Sequence, residues 1–381
     1  MEISELEFHW FEDEIDDIGT RPDGEAVYDP GSTATHSGFV LVIRTDTGLE
    51  GYCRSTFYAK QVAAQIEEAA GTFLLGRDPL EREEIWWNLR RILRHSGHMG
   101  LGPIDIALWD LAGKHYGASV AELLGGRRRE RIPAYASTMS GNPELDTPET
   151  YADFAEECLE QGYPAFKLHP LGEPDRDIEA CRAVADRVGD EMDLMLDPSS
   201  TYQSYTDALR VGRVLDELEF TWYEDPLRET GDSIYAMRRL AAELDTPLLG
   251  LEHSRTEPFG LFNHLEQDAL DIARVDALLG GGITGALKAV HTAETAGIDV
   301  EPHLGGPEHL QLLATITNAT YFEHGLLHPH VDLSQTNSWG YTEQIDRVED
   351  GHVTVPDGPG MGVEIDWDWL DEHGTETTVV E

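Results

Sequence analysis

Acidic side chains recur at nearly constant intervals through the middle of the sequence, each at the end of a short apolar run. Four such runs are MLDP, WYEDP, LGLEH and ARVDA, and their acids are Asp197, Glu224, Glu252 and Asp276. Successive acids are 27, 28 and 24 residues apart, and His303 follows after another 27 residues. One strand, one helix and two short loops fill an interval of this length in a parallel sheet. A charged residue at the carboxyl end of each successive strand is how a (β/α) barrel builds its site.

Segments on both sides of these acids complete the barrel. RIPAYASTM predicts its first strand and PETYADFAEECLEQG its first helix, and seven further strand-like segments follow with helices between them. The eighth strand, in ATYFEHG, is predicted to end at Glu323, with no equally clear helix after it. We therefore expect an α/β fold in which residues 131–325 form a modified TIM barrel.

Two further regions flank this barrel. Residues 1–130 contain strand-like alternation up to about residue 55 and then three stretches with helical spacing of apolar residues, which predicts an α+β capping domain. Within it, GTRPDGEAVYDPGSTATHS is rich in Gly, Pro, Asp and Ser and predicts a long loop, either a lid or a surface loop without a role. In residues 326–381, HVTVPDGPGMGVEIDWDWL predicts two strands, the second an edge strand that returns to the capping domain.

The chain is unusually acidic. Its 381 residues include 27 Lys and Arg against 73 Asp and Glu, a formal net charge of −46. This sign excludes binding driven by nucleic-acid phosphates or by an anionic membrane. The acids are spread over every segment, which indicates a solvated surface adapted to molar salt, where the screening length falls to ~3 Å. An ordinary acidic protein is the alternative.

The cysteines and the hydropathy of the sequence indicate what kind of protein this is and where it is located. The three cysteines are scattered, which indicates neither a disulfide framework nor a CxxC zinc site. The N-terminus is acidic from its second residue and lacks an apolar signal segment, and no run of about 18 apolar residues occurs. We therefore expect a soluble cytoplasmic protein that crosses no membrane.

Three of the acids form a candidate metal site. Asp197, Glu224 and Glu252 follow consecutive strands, so their carboxylates should converge at the barrel mouth. Carboxylates at one point repel one another strongly unless a cation lies between them. Ligation by oxygen alone favours Mg²⁺ or Mn²⁺ over Zn²⁺. The alternative is that each acid is only a helix cap or a solvated loop residue.

Basic side chains at neighbouring strand ends are candidates for proton transfer. Lys167 and His169 are two residues apart on the second strand, so both point to the barrel interior. A buried Lys beside a cation has a depressed pKa and can act as a base or an electrostatic clamp, whereas a His before a Pro can serve only to stabilise the loop. His303 follows the strand next to Asp276, whose carboxylate can accept the Nδ1 hydrogen and raise the basicity of the ring. The alternative is a structural His at a strand end.

As a set, these residues resemble the enolase superfamily, in particular its mandelate racemase subgroup (mandelate racemase/muconate lactonizing enzyme-like). The resemblance covers almost the whole chain, through the segments PIDIALWDLAGKHYGASVAELLGG, WYEDPL, LLGLEH, GGGITGALK and VTVPDGPGMGVEID. It implies a (β/α)7β TIM-like barrel with an α+β N-terminal capping domain completed by the C-terminal tail. It also implies a homo-oligomer, a dimer or an octamer.

The resemblance further implies a reaction and assigns residues to it. Mg²⁺ held by Asp197, Glu224 and Glu252 stabilises the enediolate that forms when the proton α to a substrate carboxylate is removed; the superfamily uses a Lys or His base with one or two Mg²⁺ ions. His303, oriented by Asp276, is then the base or acid on one face of the substrate. Lys167 contacts the carboxylate and Glu323 hydrogen-bonds the enediolate from the far side.

One departure from the family bears on the product. The family usually carries Lys-x-Lys on the second strand, and His169 replaces the second Lys here. This favours dehydration of a sugar acid to a 2-keto-3-deoxy acid over a two-base racemase. A racemase, epimerase or cycloisomerase of a small carboxylic acid is the alternative, and a ligand-binding or structural protein without catalysis is a third. The predicted loop at residues 19–37 and the barrel mouth are expected to set which acid is the substrate.

Overall fold

The computed structural model describes residues 1–22, 24–252 and 258–381. Its strands, numbered along the chain, are β1 (Ile3–Thr20), β2 (Ala26–Thr45), β3 (Glu50–Ser55), β4 (Arg131–Thr138), β5 (Ala165–Leu168), β6 (Asp193–Leu196), β7 (Trp222–Glu224), β8 (Leu248–Gly250), β9 (Ile272–Val275), β10 (Asp299–Pro302), β11 (Phe322–His328), β12 (Val331–Asp332), β13 (Val348–Glu349), β14 (His352–Thr354) and β15 (Gly374–Val380). Its helices are α1 (Ala59–Gln65), α2 (Gly71–Leu74), α3 (Arg82–Ile92), α4 (Leu101–Tyr116), α5 (Val120–Leu123), α6 (Pro148–Glu160), α7 (Pro174–Val188), α8 (Tyr205–Glu217), α9 (Ile234–Ala241), α10 (Pro258–Leu265), α11 (Gly282–Ala296), α12 (Pro307–Leu313) and α13 (Trp367–His373), with a π-helical turn at Ile66–Ala70 and a 3₁₀ helix at Leu333–Ser338.

The first two strands form a long hairpin where the sequence predicted a loop. β1 and β2 pair antiparallel until Thr20 lies opposite Ala26, so the loop prediction for GTRPDGEAVYDPGSTATHS was wrong over most of its length. Only residues 21–25 connect the strands, and Asp23 among them lies outside the described residues.

A bulge explains why loop-forming residues occur inside this hairpin. Gly31 has a φ of 88° and Asp17 a φ of 60°, and the Gly31 amide donates a 2.7 Å hydrogen bond to Asp17 Oδ1. The register shifts at this point, between Asp16 and Ile18. A bulge takes up residues that would otherwise signal a turn, and the pairing continues beyond it.

Helices α1 to α4 follow the three-stranded meander, in the three stretches where helical spacing predicted them. β3 and α4 approach each other closely: a Cβ built on Gly51 would lie 2.1 Å from the carbonyl oxygen of Ala107. Only glycine permits this approach. Phe8, Leu41 and Leu108 belong to the buried core that results.

Strands β4 to β11 form the eight-stranded barrel, with parallel ladders in the order β10-β9-β8-β7-β6-β5-β4-β11. Each strand from β5 to β9 pairs with the strands before and after it in the chain, β10 pairs with β9, and β11 returns to β4. The predicted fold class is confirmed: a TIM-like barrel joined to an α+β capping domain. The carboxyl ends of these strands therefore share one rim.

The eighth strand begins where the sequence predicted its end. β11 runs from Phe322 to His328, so Glu323 is its second residue, and it lies opposite Tyr135 of β4. The prediction assumed that the charged residue ends the strand, as in the preceding units. GLLH after it instead continues the strand.

The C-terminal region returns to the capping domain later than predicted. β15 pairs antiparallel with β1, which gives a four-stranded sheet in the order β15-β1-β2-β3. Of the two predicted strands, HVT forms β14, which pairs with β4 of the barrel. The second prediction was wrong, because WDWL begins helix α13, whose first turn is capped by Asp366 through the amide of Trp369 at 2.9 Å. Within the described ranges, no helix has the length and apolar character needed to span a membrane.

Candidate active site

Three carboxylates meet at the carboxyl ends of β6, β7 and β8. Asp197 follows β6, Glu224 ends β7, and Glu252 lies two residues beyond β8. One oxygen atom from each of them lies within 4.8 Å of the others. Asp197 and Glu224 are buried, with 1% and 0% of their surface exposed. His253, the last residue of the LGLEH segment, lies outside the described residues.

Local backbone structure holds two of these acids in place. The amide of Ser199 donates a 2.8 Å hydrogen bond to Asp197 Oδ1, as part of a left-handed turn at Ser199 and Ser200. The carboxylate of Asp225 accepts the amides of Leu251 at 3.2 Å and Glu252 at 3.0 Å. The residue after Glu224 thereby fixes the segment that carries Glu252, so the positions of these two acids are linked.

Burial and mutual repulsion act strongly on Glu224. Removal from water raises its pKa, the charges of Arg274 and Lys167 lower it, and Asp197 and Glu252 raise it further, to about 8. A carboxyl with this pKa is poorly stabilised as an anion by the protein alone. A bound cation would relieve that repulsion.

Lys167 lies among the carboxylates and is fully buried. Its Nζ is 2.7 Å from Glu323, 3.0 Å from Glu224 and 3.3 Å from Asp197. Burial lowers its pKa, but Glu224 and Glu323 outweigh burial and raise it well above its ordinary value. The lowered pKa that the sequence predicted for Lys167 would need a metal cation beside the ammonium. Without one, Glu224 and Glu323 shift this pKa in the opposite direction.

His169 is held so that one ring nitrogen faces the carboxylates. Its Nδ1 lies 2.7 Å from the carbonyl oxygen of Thr138, which can only accept, so Nδ1 is the donor. Its Nε2 lies 3.0 Å from Asp197 Oδ2. Burial lowers the pKa of His169, but Asp197 raises it more, and the net direction is upward.

His303 and Asp276 form a hydrogen-bonded pair on the other side of the three acids. His303 Nδ1 is 2.8 Å from Asp276 Oδ2, and its Nε2 is 3.3 Å from Glu252. Burial lowers the pKa of His303, but Glu252 and the hydrogen bond that His303 donates to Asp276 raise it to about 9. Asp276 fixes the tautomer, so Nε2 is the nitrogen that faces the site.

Glu323 is fully engaged from several elements. Ser137 Oγ donates to it at 2.8 Å and the Leu304 amide at 2.8 Å, in addition to Lys167. Burial raises the pKa of Glu323, but Lys167 and Arg274 lower it well below its ordinary value. In this arrangement Glu323 is an anion that accepts hydrogen bonds.

Comparison with known proteins identifies the family. Residues 26–125 match the mandelate racemase / muconate lactonizing enzyme N-terminal domain, and residues 150–369 match the enolase C-terminal domain-like family. The chain belongs to the enolase superfamily. The D-galactarolactone cycloisomerase of Agrobacterium fabrum is 33% identical over 353 residues, which cover 87% of this chain and 90% of the relative. The arabinonate dehydratase of Saccharolobus solfataricus is 27% identical over 333 residues, or 85% of this chain and 87% of the relative.

A solved structure of this superfamily shows the same architecture. The crystal structure of D-glucarate dehydratase from Agrobacterium tumefaciens, complexed with magnesium, matches with a TM-score of 0.90 at 33% identity. The match covers 99% of this chain and 100% of that one.

Sequence reasoning missed several residues of this enolase-superfamily site. Arg274, with no exposed surface, contacts Glu224, and Ser137 contacts Glu323. Arg274 is two residues before Asp276 on a strand, so the period of two could have placed it on the inner face. Phe57 of the capping domain, whose ring centroid lies 6.0 Å from that of His303, gave no comparable signal.

Proposed function

We propose that this protein is a Mg²⁺-dependent dehydratase of sugar acids that forms 2-keto-3-deoxy acids. The observation that carries the proposal is the convergence of three carboxylate oxygens within 4.8 Å, flanked by two sets of proton-transfer groups. Lys167 and His169 contact Asp197, and His303 contacts Glu252 on the opposite edge of the triad. Membership of the enolase superfamily supports this reaction class.

The donor set fits a hard divalent cation. Asp197, Glu224 and Glu252 would hold it, and three carboxylates without nitrogen or sulfur suit Mg²⁺, with Mn²⁺ as a substitute. When bound, the ion supplies positive charge beside the substrate carboxylate and so favours ionisation at the adjacent carbon.

The protein side chains supply the proton transfers. Lys167 Nζ or His169 Nε2, in its neutral form, takes the proton from the carbon α to the carboxylate, which gives an enediolate. A cation held by the neighbouring acids would favour that neutral form. His303 Nε2, held by Asp276, donates a proton to the β-hydroxyl, and water leaves. The resulting enol then becomes the 2-keto-3-deoxy acid by moving one proton from oxygen to carbon.

Two observations favour dehydration over racemisation. His169 stands where the family usually has a second Lys, so the two faces of the substrate meet unlike groups. The arabinonate and D-glucarate dehydratases described above also match 85% and 99% of this chain. A cycloisomerase is the second candidate, because the 33% identical relative is D-galactarolactone cycloisomerase.

A substrate screen separates these candidates. Aldonic and aldaric acids, incubated with the protein and Mg²⁺ in molar KCl, should give a keto acid from at least one substrate. Lactones of the same acids test ring opening without loss of water. Inversion at C2 without any keto acid would replace the dehydratase with a racemase.

Metal removal tests the cation site directly. EDTA should abolish activity and Mg²⁺ or Mn²⁺ should restore it. Glu224→Gln should lose metal binding, measured by calorimetry, while circular dichroism shows the native fold. The matched control is Glu217→Gln, whose side chain is 63% exposed on α8. Full activity in EDTA would overturn the assignment.

We also propose the domain limits and the working environment. Residues 1–130, 131–325 and 326–381 are assigned to the capping domain, the barrel and the returning segment. β4 starting at Arg131 supports the first limit and the pairing of β15 with β1 supports the return of the last segment, whereas β11 runs past the second limit to His328. The net charge of −46 supports adaptation to molar salt. A homo-oligomer, a dimer or an octamer, is proposed on family resemblance, and light scattering tests it.

A further inference from the structure

Arg274 occupies the floor of the site, and its side chain is fully buried. It lies on β9 and reaches residues of four other barrel strands. Its Nε donates to Glu224 Oε1 at 2.6 Å, and its Nη2 contacts the same oxygen. Nη2 also lies 3.5 Å from Glu323 Oε2. One guanidinium therefore joins an acid of the proposed metal triad to the acid that faces it.

Two further residues of the barrel hold the guanidinium in place. Its Nη1 donates to the hydroxyl of Tyr135 at 3.2 Å and to the carbonyl oxygen of Pro302 at 3.2 Å. A planar group with five donors in fixed directions can satisfy all these acceptors at once, and a lysine ammonium cannot. Residues of β4 and β10 thus orient the Arg274 guanidinium independently of its contacts with the carboxylates.

The hydrogen bond from Arg274 helps to fix the plane of the Glu224 carboxylate. Oε1 is bound by Arg274, and Oε2 accepts from Lys167 at 3.0 Å and from Trp222 Nε1 at 3.3 Å. Rotation of the carboxylate would break bonds on both sides. The same guanidinium limits how far Glu323 can move relative to Glu224.

We propose that Arg274 is a positioning residue that fixes Glu224 and Glu323 relative to each other, so that the cation site and the acid facing it form one rigid unit. This rests on the proposed function, since it assumes that Glu224 binds the divalent ion. The alternative account is charge alone, in which Arg274 only offsets part of the negative charge of the site.

The two accounts predict opposite results. Loss of one positive charge should strengthen divalent-cation binding if charge alone matters, and Lys should replace Arg without effect. If position matters, both Arg274→Met and Arg274→Lys should weaken binding by ~10–100-fold, the range for residues that orient metal ligands. In addition, kcat of Arg274→Lys should stay low at saturating Mg²⁺, because the metal does not restore the position of Glu323.

The experiment is Mn²⁺ titration, followed by calorimetry and by electron paramagnetic resonance, on the full chain in molar KCl without substrate. Tyr135→Phe keeps the charge but removes the hydroxyl that orients the guanidinium, so it should weaken binding in the same direction by less. It also decides the question if the Arg274 variants do not fold. Arg187→Met, at an exposed surface cluster, is the matched control and should bind like the wild type.

The possible results of the Mn²⁺ titrations distinguish the positioning role, the charge account and the proposed function. Unchanged Mn²⁺ affinity in the folded Arg274 variants and in Tyr135→Phe, with a wild type that binds, would overturn the positioning role alone. Tighter binding by Arg274→Met with wild-type binding by Arg274→Lys would replace it with the charge account. A wild type that binds no Mn²⁺ would overturn the proposed function and the positioning role together.

Discussion

Two histidines of the candidate site present the same ring nitrogen to the carboxylates. His303 and His169 each have Nδ1 fixed by an acceptor, Asp276 in one case and the Thr138 carbonyl in the other. Both rings therefore present Nε2 to the carboxylate triad, from opposite edges. Two groups of similar chemistry with different partners can take different roles, one removing a proton and the other returning one.

Substitution of His303 tests this division. His303→Asn removes the group assigned to protonate the departing hydroxyl, so keto-acid formation should fall by ~10²–10⁴-fold. Removal of the α-proton by Lys167 or His169 should persist. In D₂O, recovered substrate should therefore carry deuterium at C2 while no keto acid accumulates, as measured by mass spectrometry.

The control for this variant is His291→Asn, because the His291 side chain is 65% exposed on α11. It should retain wild-type dehydration and exchange. Near-normal keto-acid formation by His303→Asn would show that another group protonates the leaving hydroxyl. If His169→Ala also leaves exchange unchanged, Lys167 becomes the candidate base.

The three acids of the proposed metal site were easier to predict than Arg274. Asp197, Glu224 and Glu252 stand at strand ends at regular intervals, and the barrel geometry brings such positions together. Arg274 lies inside a strand, where the sequence gives a position but no partner. Which carboxylates a long side chain reaches depends on packing across the barrel, and no local pattern contains that information.

At the scale of elements, a side chain from a helix of the capping domain caps the N-terminus of a barrel helix. Asp105 of α4 accepts the Thr284 amide at 2.8 Å and the Thr284 hydroxyl at 2.7 Å, in the first turn of α11. The free amides of a helix N-terminus favour such an acceptor. Burial nevertheless raises the pKa of Asp105 to about 7, although both hydrogen bonds and Arg82 lower it.

This pKa predicts a pH-dependent stability. In the unfolded chain the Asp105 carboxyl has a pKa of about 3.9, so the folded state binds more protons between about pH 4 and 7. Through this group the free energy of unfolding should fall as pH rises across that window. Asp105→Asn cannot ionise, so its advantage in thermal midpoint over the wild type should grow as pH rises from 5 to 7 and level off above pH 7, as measured by thermal melts in one molar KCl buffer.

Comparing the two proteins at each pH cancels every other titrating group that they share. The prediction therefore concerns only the difference between their thermal midpoints. A difference that stays constant from pH 5 to 8 would mean that Asp105 keeps an ordinary pKa in the folded protein.

Helices and strands were predictable where a regular spacing of apolar residues determines them. They were less predictable where tertiary contacts determine the structure. The barrel strands and helices α3, α4 and α6 follow their apolar spacing. The β1–β2 hairpin was taken for a loop because Pro30 and Gly31 lie at its bulge, and the pairing of the two strands overrides such local signals. The α13 segment alternates like a strand, but the Asp366 cap and packing against the sheet make it a helix.

At the scale of the whole molecule, acids greatly outnumber the cations available to them. Several acids share one basic side chain at Arg187, which lies 2.7 to 2.9 Å from Glu149, Asp153 and Glu156. Exposed pairs of this kind contribute little each. They leave most of the charge of −46 unpaired, so the folded state carries a large self-repulsion.

Screening should therefore control stability. Raising KCl from dilute buffer to about 1 M shortens the screening length to ~3 Å and weakens repulsion between surface carboxylates. The thermal midpoint should rise steeply over this range, as measured by calorimetry in the presence of EDTA so that no divalent ion contributes. NaCl should act like KCl, because screening depends on ionic strength and not on the identity of a monovalent cation. A midpoint that stays flat would mean that the acids are compensated in the folded state, and the adaptation to molar salt would then be wrong.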